Sequence, residues 1–284
     1  MPSVYEIVTD RIISMLEKGE IPWKKPWTGN MGTPLSFNTG KPYQGINRLL
    51  LDPMFTGFVS PYWLTMNQIA KQGGTLKAGS KSQIVTHFQW KEKETEAGVK
   101  KFASFRYFRM FNLDQTEGIK APEGTDVQIV PHNPIESCER MVLAWNNRPT
   151  IRTAVEGRCY YQPSNDTIVM MPLETFSTAE GYYATLFHEM IHSTGHKNRL
   201  DRLGGPGDRK AYAEEELTAE IGSQFLCERV GINNTDLGDN ATAYIQNWLK
   251  VLKNNPTMVV HAASRAQKAA DLIVAQETVE ETEE

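Results

Sequence analysis

The sequence predicts an α+β protein of two domains, and three observations lead to this prediction. The chain of 284 residues is long enough for two domains of ~100–200 residues each. Two long stretches in its N-terminal half alternate apolar and polar residues, as half-buried strands do. Most of its C-terminal half carries apolar residues at helical spacing. We therefore expect a mixed α/β domain over 1–125, a mostly helical domain with a small antiparallel sheet over 126–275, and an acidic tail at 276–284.

The N-terminal elements follow from local patterns. Residues 4–18 repeat apolar side chains at helical spacing, and Gly19 is suited to end that helix. Residues 44–51 and 61–72 predict short helices. Two alternating stretches then predict a β-hairpin that turns around residues 94–98.

The C-terminal elements begin after a polar, glycine-containing stretch at 114–126, which we interpret as the linker. A helix over 137–147 and a hairpin with its turn at 163–166 are expected next. Ser177 and Glu180 have the spacing of a capping box at the start of a helix over 178–195. Three further helices are predicted at 210–230, 239–254 and 257–275.

Composition excludes several classes of protein. With 40% hydrophobic and 23% charged residues, the chain is not disordered over most of its length. No apolar run approaches the ~20 residues of a membrane-spanning helix, and acidic residues near the N-terminus argue against a secretory signal. Cys138, Cys159 and Cys227 form an odd set without CxxC spacing, so we expect neither a disulfide framework nor a cysteine zinc site. A reducing cytoplasm is the simplest location.

The net charge of −4 conceals a basic segment. Residues 18–109 contain 14 Lys and Arg against 5 Asp and Glu, a net charge of +9. Such asymmetry between the halves of a chain indicates a polyanionic partner. The alternative is that these basic residues only solvate a surface.

Aromatic residues accompany the basic ones, and single-stranded DNA requires both, cations for phosphates and flat rings for bases. The loop residues Trp23-Lys24-Lys25-Pro26-Trp27 interleave the two types, although the two tryptophans could instead anchor the loop to a core. We recognise no zinc finger or long recognition helix, which argues against sequence readout in a duplex. The candidate nucleic-acid-binding residues are Trp23, Lys24, Lys25, Trp27, Lys41, Tyr43, Asn47, Arg48, Lys77 and Lys81.

The predicted helix over 178–195 contains an HExxH motif. His188 and His192 are four residues apart and share a helix face, so both imidazoles can reach one metal ion. Glu189 follows the first ligand and can reach a water molecule at the metal rather than the metal itself. Two imidazoles and a carboxylate suit Zn²⁺, with Mn²⁺ as the alternative. A chance match in an unrelated helix is the competing interpretation, but two buried His and a Glu without a partner would be costly.

A carboxylate ligand is available downstream. Glu216 and Glu220 share a face of the next predicted helix, so one could bind the metal and the other could accept the N–H of a ligating His. Spacing alone does not order the two, and Glu214 and Glu215 are expected only to solvate the helix. Tyr212, one turn before Glu216, could donate a hydrogen bond to an oxyanion, or could simply pack.

His196 is the rival third ligand. The residues HEMIHSTGH begin like the metzincin pattern HExxHxxGxxH, but the position of its third His is Asn198. The metzincin interpretation therefore fails. We expect His196 to be a rim residue or a substrate contact.

The sequence resembles ArdC-type antirestriction proteins over nearly its whole length. The residues that carry the resemblance are HEMIHSTGHKNRLDR and YAEEELTAE in the C-terminal half, with PWKKPW (22–27), NTGKPYQGIN (38–47), YWLTMNQ (62–68) and GGTLKAGSK (73–81) in the N-terminal half. The resemblance implies a single-stranded-DNA-binding domain followed by a gluzincin-like metallopeptidase domain. It also implies that Glu216 is the metal ligand and that Glu220 supports it.

Two functions remain open at this point. One, which the resemblance implies, is an antirestriction protein that protects incoming plasmid or phage DNA, with a zinc peptidase that acts on an unidentified protein, for which a component of the restriction system is a candidate. In that case His188, His192 and Glu216 hold the metal and Glu189 moves the proton. The other is a non-enzymatic shield of single-stranded DNA with a structural or vestigial metal site. A closed structural site would need a fourth ligand, for which His196 is the candidate.

Overall fold

The structure, a computed structural model, describes residues 2–24, 33–95, 98–122, 134–155, 157–203, 209–232 and 241–275. The described residues form two compact units. The first draws on 1–8 and 31–128, and the second on 9–30 and 129–284. The predicted domain boundary at 125 lies close to the end of the first unit. Residues 9–30, assigned above to the N-terminal domain, belong instead to the second unit.

The first unit is built on a four-stranded sheet with two-residue strands beside it. The sheet has the order β1-β2-β5-β4, and β3 pairs with β6 separately. Its strands are β1 (Leu35–Ser36), β2 (Tyr62–Leu64), β3 (Thr75–Leu76), β4 (Gln83–Thr95), β5 (Gly98–Asn112) and β6 (Thr116–Glu117). Its helices are the start of α1 (Val4–Glu17), then α2 (Ile46–Leu50), α3 (Pro53–Thr56) and α4 (Met66–Lys71).

The predicted long hairpin is confirmed. β4 and β5 are antiparallel, in a register that runs from Gln83 opposite Met110 to Thr95 opposite Gly98. At its base, Val85 and Met110 join Leu51 and Trp63 in a buried cluster. Burial at the base fixes the register, because a slip by one residue would expose these side chains.

The predicted helix over 61–72 is wrong in its first half. Tyr62–Leu64 is a strand whose three residues are all buried, paired with β1 and β5. Thr65 then caps α4 through a capping box with Gln68. A run of three large apolar residues fits both a buried strand and a helix turn, and only the tertiary pairing decides between them.

The second unit is mostly helical, as predicted, with a three-stranded sheet. The helices are α5 (Pro134–Ala144), α6 (Ala179–Thr194), α7 (Arg209–Val230), α8 (Ala241–Asn254) and α9 (Met258–Val274). The predicted hairpin is β8 (Tyr160–Gln162) and β9 (Thr167–Met170), and β7 (Thr150–Thr153), which was not predicted, lies parallel to β9. The sheet is therefore mixed rather than purely antiparallel.

Two local features position α6. The hydroxyl of Thr178, rather than the predicted Ser177–Glu180 box, caps the helix by accepting a hydrogen bond from the N–H of Gly181 at 3.1 Å. Gly222 permits close packing of α7 on α6, because a Cβ there would lie 2.8 Å from Cδ1 of Ile191. None of the described helices has both the length and the apolarity needed to cross a membrane.

Candidate metal centre and nucleic-acid-binding residues

Helix α6 brings the two motif histidines together. The Nε2 atoms of His188 and His192 lie 3.0 Å apart, and their ring centroids are 4.6 Å apart. This follows from the i, i+4 spacing, which stacks side chains on one helix face.

Glu216 reaches the same point from α7. One carboxylate oxygen lies 3.7 Å from Nε2 of His188 and the other 3.6 Å from Nε2 of His192. The three ligand atoms all lie within 4.8 Å of one another. The structure thus brings together the three residues predicted as ligands.

The donor set fits a divalent cation. Atoms that each lie ~2.0–2.2 Å from one ion are separated by distances like these, and two imidazoles with a carboxylate suit Zn²⁺. Burial alone would raise the pKa of Glu216, but a hydrogen bond from His188 and the charge of His192 lower it to about 2. Glu216 is therefore ionised at neutral pH, as a metal ligand must be.

Glu215 orients one of the ligands. Its carboxylate lies 3.2 Å from Nδ1 of His192 and accepts two hydrogen bonds from Arg202, each at 2.9 Å. Arg202 also donates to the hydroxyl of Thr194 and the carbonyl of Ile191, at the end of α6. The expectation that Glu215 only solvates its helix is wrong, because its side chain points into the unit, where an imidazole and a guanidinium surround it.

Glu220 has different contacts from those predicted. Its carboxylate lies 3.4 Å from Nζ of Lys24, in a partly buried ion pair. Burial lowers the pKa of His188, but the hydrogen bond that His188 donates to Glu216 and the negative charge of Glu220 outweigh burial and raise this pKa. Among the contacts of the described residues, Glu215 has the role that was predicted for Glu220. Its carboxylate lies at Nδ1 of His192, the ring nitrogen that faces away from the cluster.

The remaining predicted residues of the site differ in burial and in their contacts. Glu189 is buried beside His188. Tyr212 is exposed, and a hydrogen bond to Glu216 raises the pKa of its phenol. His196 is buried and accepts a hydrogen bond from the N–H of Asn198 at 3.3 Å. Within the described ranges it does not join the cluster, which consists of His188, His192 and Glu216.

The structure places Trp23 in the core of the second unit. Trp23 is fully buried, its Nε1 donates to the hydroxyl of Tyr244 at 2.8 Å, and its ring packs edge-on against Trp248. It is therefore not available to stack on a base, and the alternative of a loop anchor is the one found here. Lys24 pairs with Glu220, while Lys25 and Trp27 lie outside the described residues.

The other candidate nucleic-acid residues lie in the first unit. Lys41 and Lys81 are exposed, and Lys77 donates to the carbonyl of Asp114 at 2.7 Å. Tyr43 is half-buried against the Trp63 cluster, and burial raises the pKa of its phenol to about 12.

Asn47 has a structural role at the edge of the sheet, and Arg48 is half-buried. The side chain of Asn47 accepts from the N–H of Thr86 at 2.7 Å and donates to its carbonyl at 2.8 Å. These two hydrogen bonds pair the backbone N–H and carbonyl of Thr86 on the outer strand β4, as a neighbouring strand would.

Two family models match the chain. Residues 2–117 match the N-terminal domain of the anti-restriction factor ArdC, and residues 138–265 match a zincin-like metallopeptidase. The DNA primase TraC of Escherichia coli is 33% identical over 294 residues, which cover 95% of this chain but 27% of the primase. A second TraC from E. coli is 32% identical, and the chain covers 20% of it. The chain thus spans about a quarter or less of the length of these primases.

Relatives of the same length also match. The uncharacterized protein y4eC of Sinorhizobium fredii is 30% identical, with 97% of this chain and 92% of that protein aligned. The crystal structure of metal-free antirestriction ArdC from the R388 plasmid is 40% identical and covers 98% of this chain and 99% of its own, with a TM-score of 0.79. The Mn(II)-bound structure of ArdC is 39% identical and covers 97% of this chain and 98% of its own, with a TM-score of 0.78. This chain therefore belongs to the ArdC family of antirestriction proteins, and has the family's N-terminal domain followed by a zincin-like metallopeptidase domain.

Proposed function

We propose that the protein binds single-stranded DNA through its first unit and hydrolyses peptide bonds at the cluster of His188, His192 and Glu216. Together these activities would protect incoming plasmid or phage DNA from restriction. The observation that carries the enzymatic part is the convergence of the three ligand atoms within 4.8 Å. Three protein ligands are typical of catalytic zinc sites, whereas structural sites usually have four.

His188, His192 and Glu216 would hold a divalent cation. The donor set favours Zn²⁺, and the Mn(II)-bound ArdC structure makes Mn²⁺ the alternative. Such an ion would supply Lewis-acid chemistry for peptide hydrolysis. Glu189 then accepts the proton of the attacking water and returns it to the leaving amine. Its burial next to His188 supports this role, since a carboxylate held away from bulk solvent has a defined position.

Tyr212 is proposed as an oxyanion donor. Its phenol is exposed and hydrogen-bonds Glu216, so it lies at the open side of the cluster. A phenol there is placed to donate to a carbonyl oxygen that gains negative charge. Its raised pKa keeps the proton in place at neutral pH.

The DNA-binding part rests on charge and aromatic content. Within the first unit, residues 31–109 contain 11 Lys and Arg against 4 Asp and Glu, a net charge of +7, and exposed aromatic side chains occur on the β4–β5 hairpin. Single strands are bound by this combination with little sequence preference. The N-terminal domain of an antirestriction factor is a suitable place for such a surface.

The test uses the full chain in two assays. Zinc-loaded and chelator-treated protein are incubated with an unfolded protein substrate such as casein, and binding to a labelled single-stranded oligonucleotide is measured by fluorescence anisotropy. We expect hydrolysis only in the loaded sample, and oligonucleotide binding in both. If oligonucleotide binding occurs but loaded protein cleaves neither casein nor restriction-system components, the competing function is correct, in which the protein is a non-enzymatic shield.

A further inference from the structure

One face of the β4–β5 hairpin combines exposed rings and cations. Residues directly opposite in an antiparallel pair point to the same face, as do residues two apart along each strand. The register therefore places Phe108 beside Val85, Arg106 beside His87, and Phe102 beside Lys91. We call this surface the cationic face and define it by Lys91, Lys100, Phe102, Arg106 and Phe108.

Two half-exposed phenylalanines interrupt the polar residues of this face. Phe102 is 44% exposed and Phe108 is 46% exposed. They are six positions apart on β5, which is ~20 Å along an extended strand. That distance accommodates several nucleotides, within the range of ~4–16 that single-strand sites cover.

The two faces of the hairpin differ in their acidic residues and ion pairs. On the cationic face, Lys91, Lys100 and Arg106 form no ion pair with a described residue, and no Asp or Glu lies on this face between residues 83 and 91 or between 100 and 110. On the opposite face, Lys101 is paired with Glu92 at 3.1 Å. The opposite face also carries the exposed Arg109, but it adds the carboxylate of Glu92, so the cationic face is the more complementary of the two to a polyanion.

The cationic face also continues into the segment over 38–47, which contains the candidate nucleic-acid-binding residues Lys41 and Tyr43. Val85 and Met110, at its base, pack in the cluster against which Tyr43 rests. Tyr43 belongs to the segment over 38–47, where Lys41 is exposed. The opposite face meets this segment through Thr86, which Asn47 hydrogen-bonds, and there Tyr5 packs on Phe105 at 4.6 Å between ring centroids.

We propose that single-stranded DNA lies along the cationic face, with bases stacked on Phe102 and Phe108 and with phosphates beside Lys91, Lys100 and Arg106. The proposal rests on the single-strand binding proposed above and assigns it to particular residues. Stacking on a ring is sequence-tolerant, because every base has a π-face. Cations between the rings neutralise the backbone that joins the stacked bases.

The experiment measures anisotropy of a labelled oligothymidylate with the full chain at several salt concentrations. The Phe102→Ala/Phe108→Ala variant should bind at least about tenfold more weakly, because each ring provides a stacking contact. Arg106→Gln should bind a few times more weakly, and the slope of log K against log salt should fall by about 0.7 for the one lost phosphate contact. The matched control is Phe88→Ala/Trp90→Ala, which removes two exposed rings from the opposite face and should bind like the wild type.

The outcomes separate this inference from the proposed function. Absence of binding by the wild-type chain would overturn both single-strand binding and its location. Wild-type binding that persists in Phe102→Ala/Phe108→Ala and Arg106→Gln would overturn the location alone, as would loss of binding only in the Phe88→Ala/Trp90→Ala control. Circular dichroism checks folding, and if the double phenylalanine variant is unfolded, the salt slope of Arg106→Gln decides.

Discussion

The carboxylate of Glu215 lies 3.2 Å from Nδ1 of His192, while the Nε2 of the same imidazole faces the metal cluster. A carboxylate at Nδ1 fixes the tautomer with its proton on Nδ1 and leaves Nε2 free to act as a ligand. Arg202 holds Glu215 in turn through two hydrogen bonds. A chain of hydrogen bonds therefore runs from His192 through Glu215 to the buried guanidinium of Arg202, at the end of α6.

Glu215→Gln should weaken metal binding by about 10–100-fold, which is typical for loss of a partner behind a ligand. The amide keeps the shape but lacks the negative charge that holds the Nδ1–H of the imidazole. Zinc affinity is measured by competition with a chelator of known affinity. Glu214→Gln is the matched control, because Glu214 is the adjacent residue on α7 and pairs with Arg265 at 3.1 Å instead. Equal affinity in both variants would contradict the role assigned to Glu215.

The two glutamates of the ExxxE spacing should behave differently when each is replaced. Glu216→Ala should release most of the zinc, as should His188→Ala or His192→Ala, because each removes one of three ligands. Glu220→Ala should retain the metal with reduced affinity, because Glu220 acts on His188 through its charge and is paired with Lys24. Metal content after gel filtration distinguishes them. An empty site in Glu220→Ala and a filled one in Glu216→Ala would reverse the assignment.

Trp23→Ala should destabilise the second unit by about 3–5 kcal/mol, the cost of a cavity the size of a buried Trp. The ring is fully buried between Tyr244 and Trp248, so its loss also leaves the hydroxyl of Tyr244 without that donor. Thermal unfolding monitors the effect. Trp23→Phe retains a ring and loses the hydrogen bond, so it should cost less. Unchanged stability together with weaker oligonucleotide binding would instead restore the prediction that Trp23 stacks on bases.

The interpretation of the sequence succeeded where the chemistry is local. His188 and His192 share a helix face by spacing alone, and the alternation over 83–112 fixes the hairpin. Glu215 was missed because its function depends on a contact with Arg202, which follows α6 in the chain, and no periodicity indicates such a contact. The burial of Trp23 depends on Tyr244, more than 200 residues away, and the strand at 62–64 depends on pairing with β5. Long-range packing decided each of these cases.

Asp166→Asn should lower stability at neutral pH by about 1–2 kcal/mol, since charge-assisted hydrogen bonds are lost at a partly exposed site. Burial alone would raise the pKa of Asp166, but hydrogen bonds from Arg199 and Tyr161 lower it below its ordinary value. The contribution of the ionised Asp166 to the free energy of unfolding is therefore fully present above the pKa of ~3.9 that this group has in the unfolded chain. It is lost as the pH falls through the lower pKa of the folded protein. Asn keeps the left-handed backbone of this position, where φ is 50°.

The measurement for Asp166 is urea unfolding as a function of pH. The wild type should lose more stability than Asp166→Asn below about pH 4, so the two curves should converge in acid. Parallel curves over that range would show that the Asp166–Arg199 pair does not contribute through its charge.

Glu189→Gln should distinguish a protein that acts by peptide hydrolysis from a non-enzymatic shield of single-stranded DNA. An amide keeps the volume of the buried side chain but cannot accept a proton from water at neutral pH, so peptide hydrolysis should fall by ~10²–10⁴-fold. Zinc content should remain, because the proposed ligands are His188, His192 and Glu216. Oligonucleotide binding should also remain, because the substitution leaves the residues of the first unit intact. The decisive measurement is protection of incoming plasmid DNA from restriction in cells that produce the variant, with zinc content and anisotropy determined on the same protein. Loss of protection with both binding properties retained is the expected result, since the proposed hydrolysis requires proton transfer by Glu189. Full protection by Glu189→Gln would show that hydrolysis is not needed for antirestriction, and the DNA-binding unit would then account for the protection without it.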